Sequence, residues 1–317
     1  RIKGGNDETI LPEAPIMKED TVVKAPISDL GKVKKVGSTP LKLQAPILGI
    51  IRLDYDYPPA PGDIDHPDSY GYDVIYRVVP GLTFSMCQTG DLTDEVILNC
   101  IDAVKYLNDK NVVGITGDCG FMINIQDLIN EHTDKPVFLT SLVKLPSLCA
   151  CYDKGETIAV FTANSVTLDP ILPKLLEMSA VKPEHQSRIQ IVGCQNVDGF
   201  DAVEKGEKVD VERVTPGIVA LALEEIAKNP KIKCILLECT ELPPYSDALK
   251  YETGLPVYDS ISVCNSFMGG FLDNPRFGLN NFQASWDGKQ DPYKFGDNLT
   301  EKEKDNLVNT IGKDKYA

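Results

Sequence analysis

The sequence predicts an α/β protein of two pseudo-symmetric Rossmann-like domains, each a parallel sheet flanked by helices, with the active site in the cleft between them. Three observations carry this expectation. First, continuous β-branched runs of strand length alternate with amphipathic patterns of helix length, as in parallel sheets covered on both faces. Second, one design occurs twice. Residues 112–122 (Val-Val-Gly-Ile-Thr-Gly-Asp-Cys-Gly-Phe-Met) and 235–245 (Ile-Leu-Leu-Glu-Cys-Thr-Glu-Leu-Pro-Pro-Tyr) are apolar runs ending in a cysteine, Cys119 or Cys239, followed by a residue able to open a helix. Third, the match extends outward: Ala103-Val-Lys-Tyr-Leu and Ala222-Leu-Glu-Glu-Ile lie in amphipathic helix patterns upstream, and Pro136-Val-Phe and Pro256-Val-Tyr each start 17 residues after their cysteine. Helix, strand, cysteine, helix, strand is an internal repeat. Parallel α/β units bind ligands at the carboxyl ends of their strands, where helix N-termini also point. Two cysteines at equivalent strand ends can then face each other across one cleft.

A chain of 317 residues is long enough for two domains with separate cores. The expected layout is an extended arm over 1–44, a first α/β domain over 45–145 and 259–300, a second over 146–258, and a charged tail over 301–317. Hydrophobic content of 42% and charged content of 25% are those of a soluble globular protein. A net charge of −15 argues against nucleic acid and anionic membrane as partners. No apolar run reaches the roughly 18–20 residues of a membrane span. Nine cysteines without a Cys-x-x-Cys pair, and His66, His132 and His185 far apart, argue against zinc and fit a reducing, intracellular compartment, a plastid included. Because the first residue is Arg1 rather than Met, a targeting segment is not assessable.

In order along the chain, prolines at 12, 15, 26 and 40 break up the arm, which is either a tail or a strap around a neighbouring subunit. Residues 47–53 are the first strand, continuous and β-branched. A long loop follows, with Asp54, Tyr55, Asp56 and Tyr57 ahead of Pro58, Pro59, Pro61 and Gly62. Such a loop at a strand's carboxyl end is a pocket wall or a plain surface connection. Residues 72–79 read as a strand and 92–107 as a helix opened by Asp91 or Thr93. The first cysteine strand comes next, with a helix over 123–130 whose N-terminus faces Cys119. A short strand at 137–139 closes that half, and a helix over 142–150 crosses to the next. Residues 157–161 form a strand, and Thr162, Ala163, Asn164 and Ser165 form either an anion cradle or an ordinary helix cap before a helix near Leu168. Residues 189–192 are a strand, 198–210 a charged connection, and 215–228 a helix with Pro216 in its first turn. The second cysteine strand and Pro256-Val-Tyr follow, then a returning helix over 259–271, an irregular aromatic stretch from Pro275 to Trp286, and the tail.

A thiolate near a helix N-terminus or a cation has its pKa drawn down and can serve as a nucleophile or as a base toward carbon. Two thiols on opposite faces of a small acid suit proton abstraction beside a carboxylate. Cysteines are mostly buried packing residues, and Cys234, which opens its strand away from the site, reads that way. Cys119 and Cys239 differ because their contexts repeat where strand meets helix.

These residues resemble a known family. Thr-Gly-Asp-Cys119-Gly and Glu-Cys239-Thr-Glu-Leu-Pro, with Thr162-Ala-Asn between them, resemble the aspartate/glutamate racemase superfamily. Within it, the stretch from Arg52 to Asp65, Val79-Pro-Gly-Leu-Thr-Phe, Gly114-Ile-Thr-Gly-Asp-Cys-Gly-Phe-Met and Leu237-Glu-Cys-Thr-Glu-Leu-Pro-Pro-Tyr-Ser-Asp-Ala are most similar to algal dimethylsulfoniopropionate (DMSP) lyases of the Alma type. The resemblance runs from Ile47 to Trp286 and leaves out the arm and tail. It implies two α/β halves, one catalytic cysteine from each, no metal or pyridoxal phosphate, and association into a dimer or tetramer.

The racemases carry a glycine-rich turn after the first strand; here the Tyr/Pro loop replaces it. For DMSP, a carboxylate with a dimethylsulfonium, the replacement makes chemical sense. Tyr55 and Tyr57 would hold the cation by cation–π contact, roughly 0.5–2 kcal/mol, with Asp54 or Asp56 adding charge. Arg52, Asp118 and Gly120 join the substrate-binding set through the shared motifs. Thr162, Asn164, Thr240 and nearby backbone amides would bind the carboxylate. One cysteine removes the α proton, dimethyl sulfide leaves from the β carbon, and acrylate remains. The Asp-Cys-Gly turn favours Cys119 as that base, without deciding it. The alternative is an amino-acid racemase, of aspartate/glutamate type, on the same two cysteines; a third is a two-lobed binding protein.

Overall fold

A computed structural model describes residues 45–272, together with 300–302 and 305. The expected arm over 1–44 and aromatic stretch from Pro275 to Trp286 lie outside the described residues, as does most of the tail. The elements named below belong to one compact unit.

The first half opens with β1 (Ile47–Arg52), whose residues are nearly all buried, as a central parallel strand requires. The Tyr/Pro loop leads to β2 (Asp73–Val78), then α1 (Phe84–Thr89) and α2 (Asp94–Asp109). The short α1 is missing from the sequence reading because Gly81 and Gly90 bracket it too closely for a periodic pattern to show. Of the two candidate caps for α2, Thr93 serves: its hydroxyl accepts from the Val96 amide at 3.3 Å. Strand β3 (Gly114–Gly117) runs parallel to β1, in sheet order β2-β1-β3.

The helix expected to start at residue 123 after Cys119 begins instead as a 3-10 turn, Gly120–Ile125, and becomes α3 only over Gln126–Asn130. The expected strand at 137–139 is reduced to one parallel bridge, Ile115 to Val137. A 3-10 turn at Ser141–Lys144 and α4 (Leu145–Cys151) carry the chain across.

The second half repeats the plan. Strand β4 (Thr157–Thr162) is followed by α5 (Ser165–Leu168), α6 (Leu172–Met178), α7 (Pro183–Gln186) and β5 (Ile189–Gly193). The Asn164 side chain caps α5 by accepting from the Val166 amide, so this helix starts earlier than periodicity suggests. Within the charged connection lies α8 (Ala202–Lys205), and α9 (Val211–Lys228) begins four residues before the expected start. There the Asp210 carboxylate accepts from the Arg213 amide, which adds a turn ahead of Pro216 and leaves that proline inside the helix. Strand β6 (Ile232–Leu237), α10 (Ser246–Thr253) and β7 (Val257–Tyr258) complete a parallel sheet of order β5-β4-β6-β7. Counting the Val137 bridge as a fourth position, the two sheets share one strand order, so the written repeat is a structural one.

Helix α11 (Ser260–Met268) opens with a reciprocal capping box between Asp259 and Ser262 and returns to the first half. Its Val263, Cys264 and Met268 pack with Leu48, Ile50 and Phe138. A further core is shared: Ile123, Leu142 and Leu145 meet Ile158, Val160 and Leu236. No helix among the described residues is long and apolar enough to cross a membrane.

Phe138 concentrates the first half's packing. Its ring is 4.1 Å from that of Phe267 and nearly parallel to it, and its Cε1 lies 3.1 Å from where a side chain on Gly114 would begin. Phe138→Ala is expected to cost about 3–5 kcal/mol in urea denaturation. A loss below about 1 kcal/mol would mean that α11 repacks freely on the sheet.

Candidate active site

The register of each sheet delivers its cysteine. Strand β3 ends at Gly117 and β6 at Leu237, so Cys119 and Cys239 each stand two residues past their strand. The intervening acidic residues are held alike: the Asp118 amide donates to Ile51 O at 3.1 Å, and the Glu238 amide to Phe161 O at 2.7 Å. One bond then ties the two strand ends together, and two more tie the second end to other parts of the first half. The Thr240 hydroxyl donates to Asp118 O at 2.5 Å, the Ser141 hydroxyl to Leu237 O at 2.8 Å, and the Ile64 amide to Thr240 O at 3.5 Å. Between them lies a cavity of about 390 Å³ lined by both Cys119 and Cys239. That is the volume of a small-molecule site.

The lining is acidic and aromatic. Asp201, Glu204, Glu238 and Glu241 supply carboxylates, Phe84, Phe121 and Phe200 supply rings, and no Lys, Arg or His is among the lining residues. The Cys239 thiol donates to Glu241 Oε2 at 2.8 Å, and Thr240 Oγ1 lies 3.3 Å from the same oxygen. Burial pushes the Cys239 thiol well up, and Glu241 and Glu238 push it further, while the Glu241 amide at the sulfur works the other way. Burial also raises Glu241. The Cys119 thiol is pushed up as well, first by its hydrogen bond with Cys87 and then by burial. The expected downward pull from a helix N-terminus is thus reversed: only a 3-10 turn follows Cys119, and low dielectric with adjacent acids outweighs it.

Glu238 is 2% exposed. Its Oε2 accepts from the Thr162 hydroxyl at 2.7 Å, and its Oε1 has no hydrogen-bond partner among the described residues. Burial raises this carboxyl to about 7, with the Thr162 bond pulling it back. A Cβ on Gly120 would come within 1.8 Å of Glu238 Oε1, so no larger residue fits there while Glu238 holds its place.

Of the residues singled out in the sequence, Cys119, Cys239, Gly120, Asn164 and Thr240 line the cavity. The others do not: Asp56 is exposed, and Arg52, Asp54, Tyr55, Tyr57, Asp118 and Thr162 each have an internal partner. Arg52 Nε is 3.0 Å from Asp65 and 3.8 Å from Asp118 in a buried ionic cluster. Both Asp118 carboxylate oxygens accept from the Leu53 amide, at 3.1 and 3.0 Å. Asp54 accepts from the Gly81 amide, and the Tyr57 hydroxyl donates to Asp63. Tyr55 reaches the other half, donating to Val203 O at 2.8 Å, and its ring edge meets Phe84. The Thr162 hydroxyl is spent on Glu238, and that of Thr240 on Asp118 O.

Sequence reasoning passed over Glu238, Glu241 and Gln195. The first two stand one before and two after the cysteine in Glu-Cys-Thr-Glu, but only their burial separates them from surface acids. Gln195, whose side chain bonds the Ser165 amide at 3.2 Å, carried no signal. Among the described residues no group of three or more His, Cys, Asp or Glu is arranged to hold a metal ion.

Comparison with known proteins gives the following. No family model matches. The chain is 55% identical over 273 residues to dimethylsulfoniopropionate lyase 7 of Emiliania huxleyi, covering 85% of this chain and 80% of that protein. It is 48% identical over 258 residues to a dimethylsulfoniopropionate lyase of Durusdinium sp. clade D, covering 81% and 85%. Among solved structures, a mutant of arylmalonate decarboxylase aligns with 74% of this chain and 98% of its own at 18% identity and a TM-score of 0.48.

The raised carboxyl of Glu238 sets a pH dependence. Below about 4.5 both folded and unfolded chains hold this proton; between 4.5 and about 7 the unfolded chain loses it first, so folding weakens as pH rises, and above 7 the penalty is constant. The full effect is on the order of 3 kcal/mol at most. Glu238→Gln cannot ionise, so its stability relative to wild type should grow from pH 5 to pH 8 in urea denaturation. Parallel stability curves for the two proteins would disprove the shift.

Proposed function

The chain belongs to the dimethylsulfoniopropionate lyase family, and we propose that it cleaves DMSP to dimethyl sulfide and acrylate with Cys239 as the base. The observation that carries this assignment of roles is the Cys239–Glu241 contact. The Cys239 thiol already points its proton at a carboxylate oxygen 2.8 Å away, whereas the neighbouring Cys87 and burial push the Cys119 thiol up.

The steps balance as follows. The Cys239 proton passes to Glu241, and the Glu241 amide steadies the thiolate left behind. That thiolate takes the α proton of DMSP. The electron pair moves to form the carbon–carbon double bond, and the β carbon–sulfur pair departs on sulfur as neutral dimethyl sulfide. Cys239 is then a thiol again, and Glu241 returns its proton to water. No acid is needed at the leaving group, so one base suffices.

The acid-rich lining favours a cationic substrate. Asp201 and Glu204 on the α8 side and the rings of Phe84, Phe121 and Phe200 replace Tyr55, Tyr57, Asp54 and Asp56 as surroundings for the sulfonium. Tyr55 acts one step back, holding the α8 turn through Val203 O. The same lining offers no cation to the two carboxylates of aspartate or glutamate, so nothing favours a racemase.

Headspace dimethyl sulfide from wild type and variants tests the roles. Cys239→Ala should lower kcat by about 10²–10⁴-fold, and Glu241→Gln by a comparable factor, with Cys119→Ala milder than both. A Cys119→Ala enzyme as dead as Cys239→Ala, beside an active Glu241→Gln, would transfer the base to the first half.

A further inference from the structure

The elimination builds negative charge on the substrate carboxylate, yet the hydroxyls expected to receive it are committed elsewhere: Thr162 to Glu238, Thr240 to Asp118 O. The Asn164 side-chain oxygen is committed to its helix cap. One buried side-chain atom among the lining residues lacks a protein partner among the described residues, Glu238 Oε1. It belongs to the residue before Cys239 and lies against Gly120, the residue after Cys119. Thr162 donates to Oε2 and so marks that oxygen as the acceptor. A proton on this carboxyl therefore sits on Oε1.

We infer that Glu238 works as a neutral acid whose Oε1–H donates to the substrate carboxylate and strengthens that bond as the enediolate-like transition state forms. This rests on the lyase reading of the cavity and adds a catalytic residue to it. The proton stays on Glu238 throughout: the α-carbon pair flows toward the carboxylate, then back to make the double bond as sulfur leaves. A neutral donor is needed because an ionised Glu238 beside a substrate carboxylate would repel it at low dielectric. A buried carboxyl kept protonated to donate to a developing oxyanion is a known catalytic device. Thr162 is the positioning residue that fixes which oxygen carries the proton, and Gly120 admits Oε1 to the wall.

Two variants of similar length, neither ionisable, isolate the role. In Glu238→Gln the side-chain oxygen can still accept from Thr162, which leaves an N–H where Oε1–H stood; Glu238→Met has no donor. Dimethyl sulfide release should fall no more than about tenfold in Glu238→Gln but about 10²–10³-fold in Glu238→Met. Wild type should lose kcat/KM as pH rises through about 7, the value to which burial lifts this carboxyl, and Glu238→Gln should lose that limb. The other titratable groups on the wall, Cys119, Asp201, Glu204, Cys239 and Glu241, are common to both proteins. Acrylate, the carboxylate product without the sulfonium, should inhibit Glu238→Gln nearly as well as wild type and Glu238→Met at least tenfold less.

If Glu238→Gln falls as far as Glu238→Met, the charge and not the donor matters, and the inference is overturned. If Glu238→Met does not fold, a Glu238→Gln enzyme that keeps its activity and lacks the alkaline limb still supports it; one that loses about 10²-fold overturns it. Wild type that released no sulfide would sink the lyase reading instead, and acrylate affinity measured by calorimetry on the same proteins would then decide the donor.

Discussion

One hydroxyl spans the two repeats at the cavity. Thr240, immediately after Cys239, donates to the carbonyl of Asp118, immediately before Cys119, at 2.5 Å. Two parallel sheets can each present a cysteine at a strand end, but their sulfurs share a space only if the strand ends are pinned to each other. The Ser141 and Ile64 bonds reinforce the pin from either side. Below it, Arg52 with Asp65 and Asp118 forms a buried ionic cluster under the first strand end. Such clusters stabilise little in net terms but are costly to break, so they fix geometry more than they add stability.

Acidity governs the chemistry of this pocket. Burial raises the Glu238 and Glu241 carboxyls and, together with them, the Cys239 thiol beside the cavity of about 390 Å³, the opposite of an activating cationic environment. A thiolate in such a place is unfavourable until something positive enters. A substrate that brings its own sulfonium supplies the missing charge, so that deprotonation of Cys239 is coupled to occupancy. In the empty pocket the thiols stay protonated and chemically quiet, which suits a reactive side chain. The aromatic rings suit the same guest, since a sulfonium is soft and weakly hydrated.

The two-sheet plan was legible because it is written twice, and the spacing from Cys119 to Pro136 equals that from Cys239 to Pro256. Continuous β-branched runs located the strands to within a residue or two. Helix starts were less legible: α5 and α9 begin early because Asn164 and Asp210 cap them, and side-chain caps act through one hydrogen bond that periodicity does not register. The cysteines were found by context. The resemblance implies a cation held by the Tyr/Pro loop, whereas Tyr57 turns inward to Asp63 and Tyr55 crosses to Val203. Loop side chains choose partners far away in sequence, and a single chain read locally cannot show which. Glu238 escaped notice because an acid beside a cysteine looks like solubility until its burial is known.

Gly120 and Glu238 fit together as a notch and a peg, one from each repeat, with 1.8 Å separating the carboxyl oxygen from the place a methyl group would occupy. Neither position can therefore drift alone. Any side chain at the notch demands a shorter peg, and a shorter peg leaves the notch hollow, so the two sites are locked into joint change although 118 positions separate them along the chain. Two halves written in one pattern are in this way made to differ where they meet.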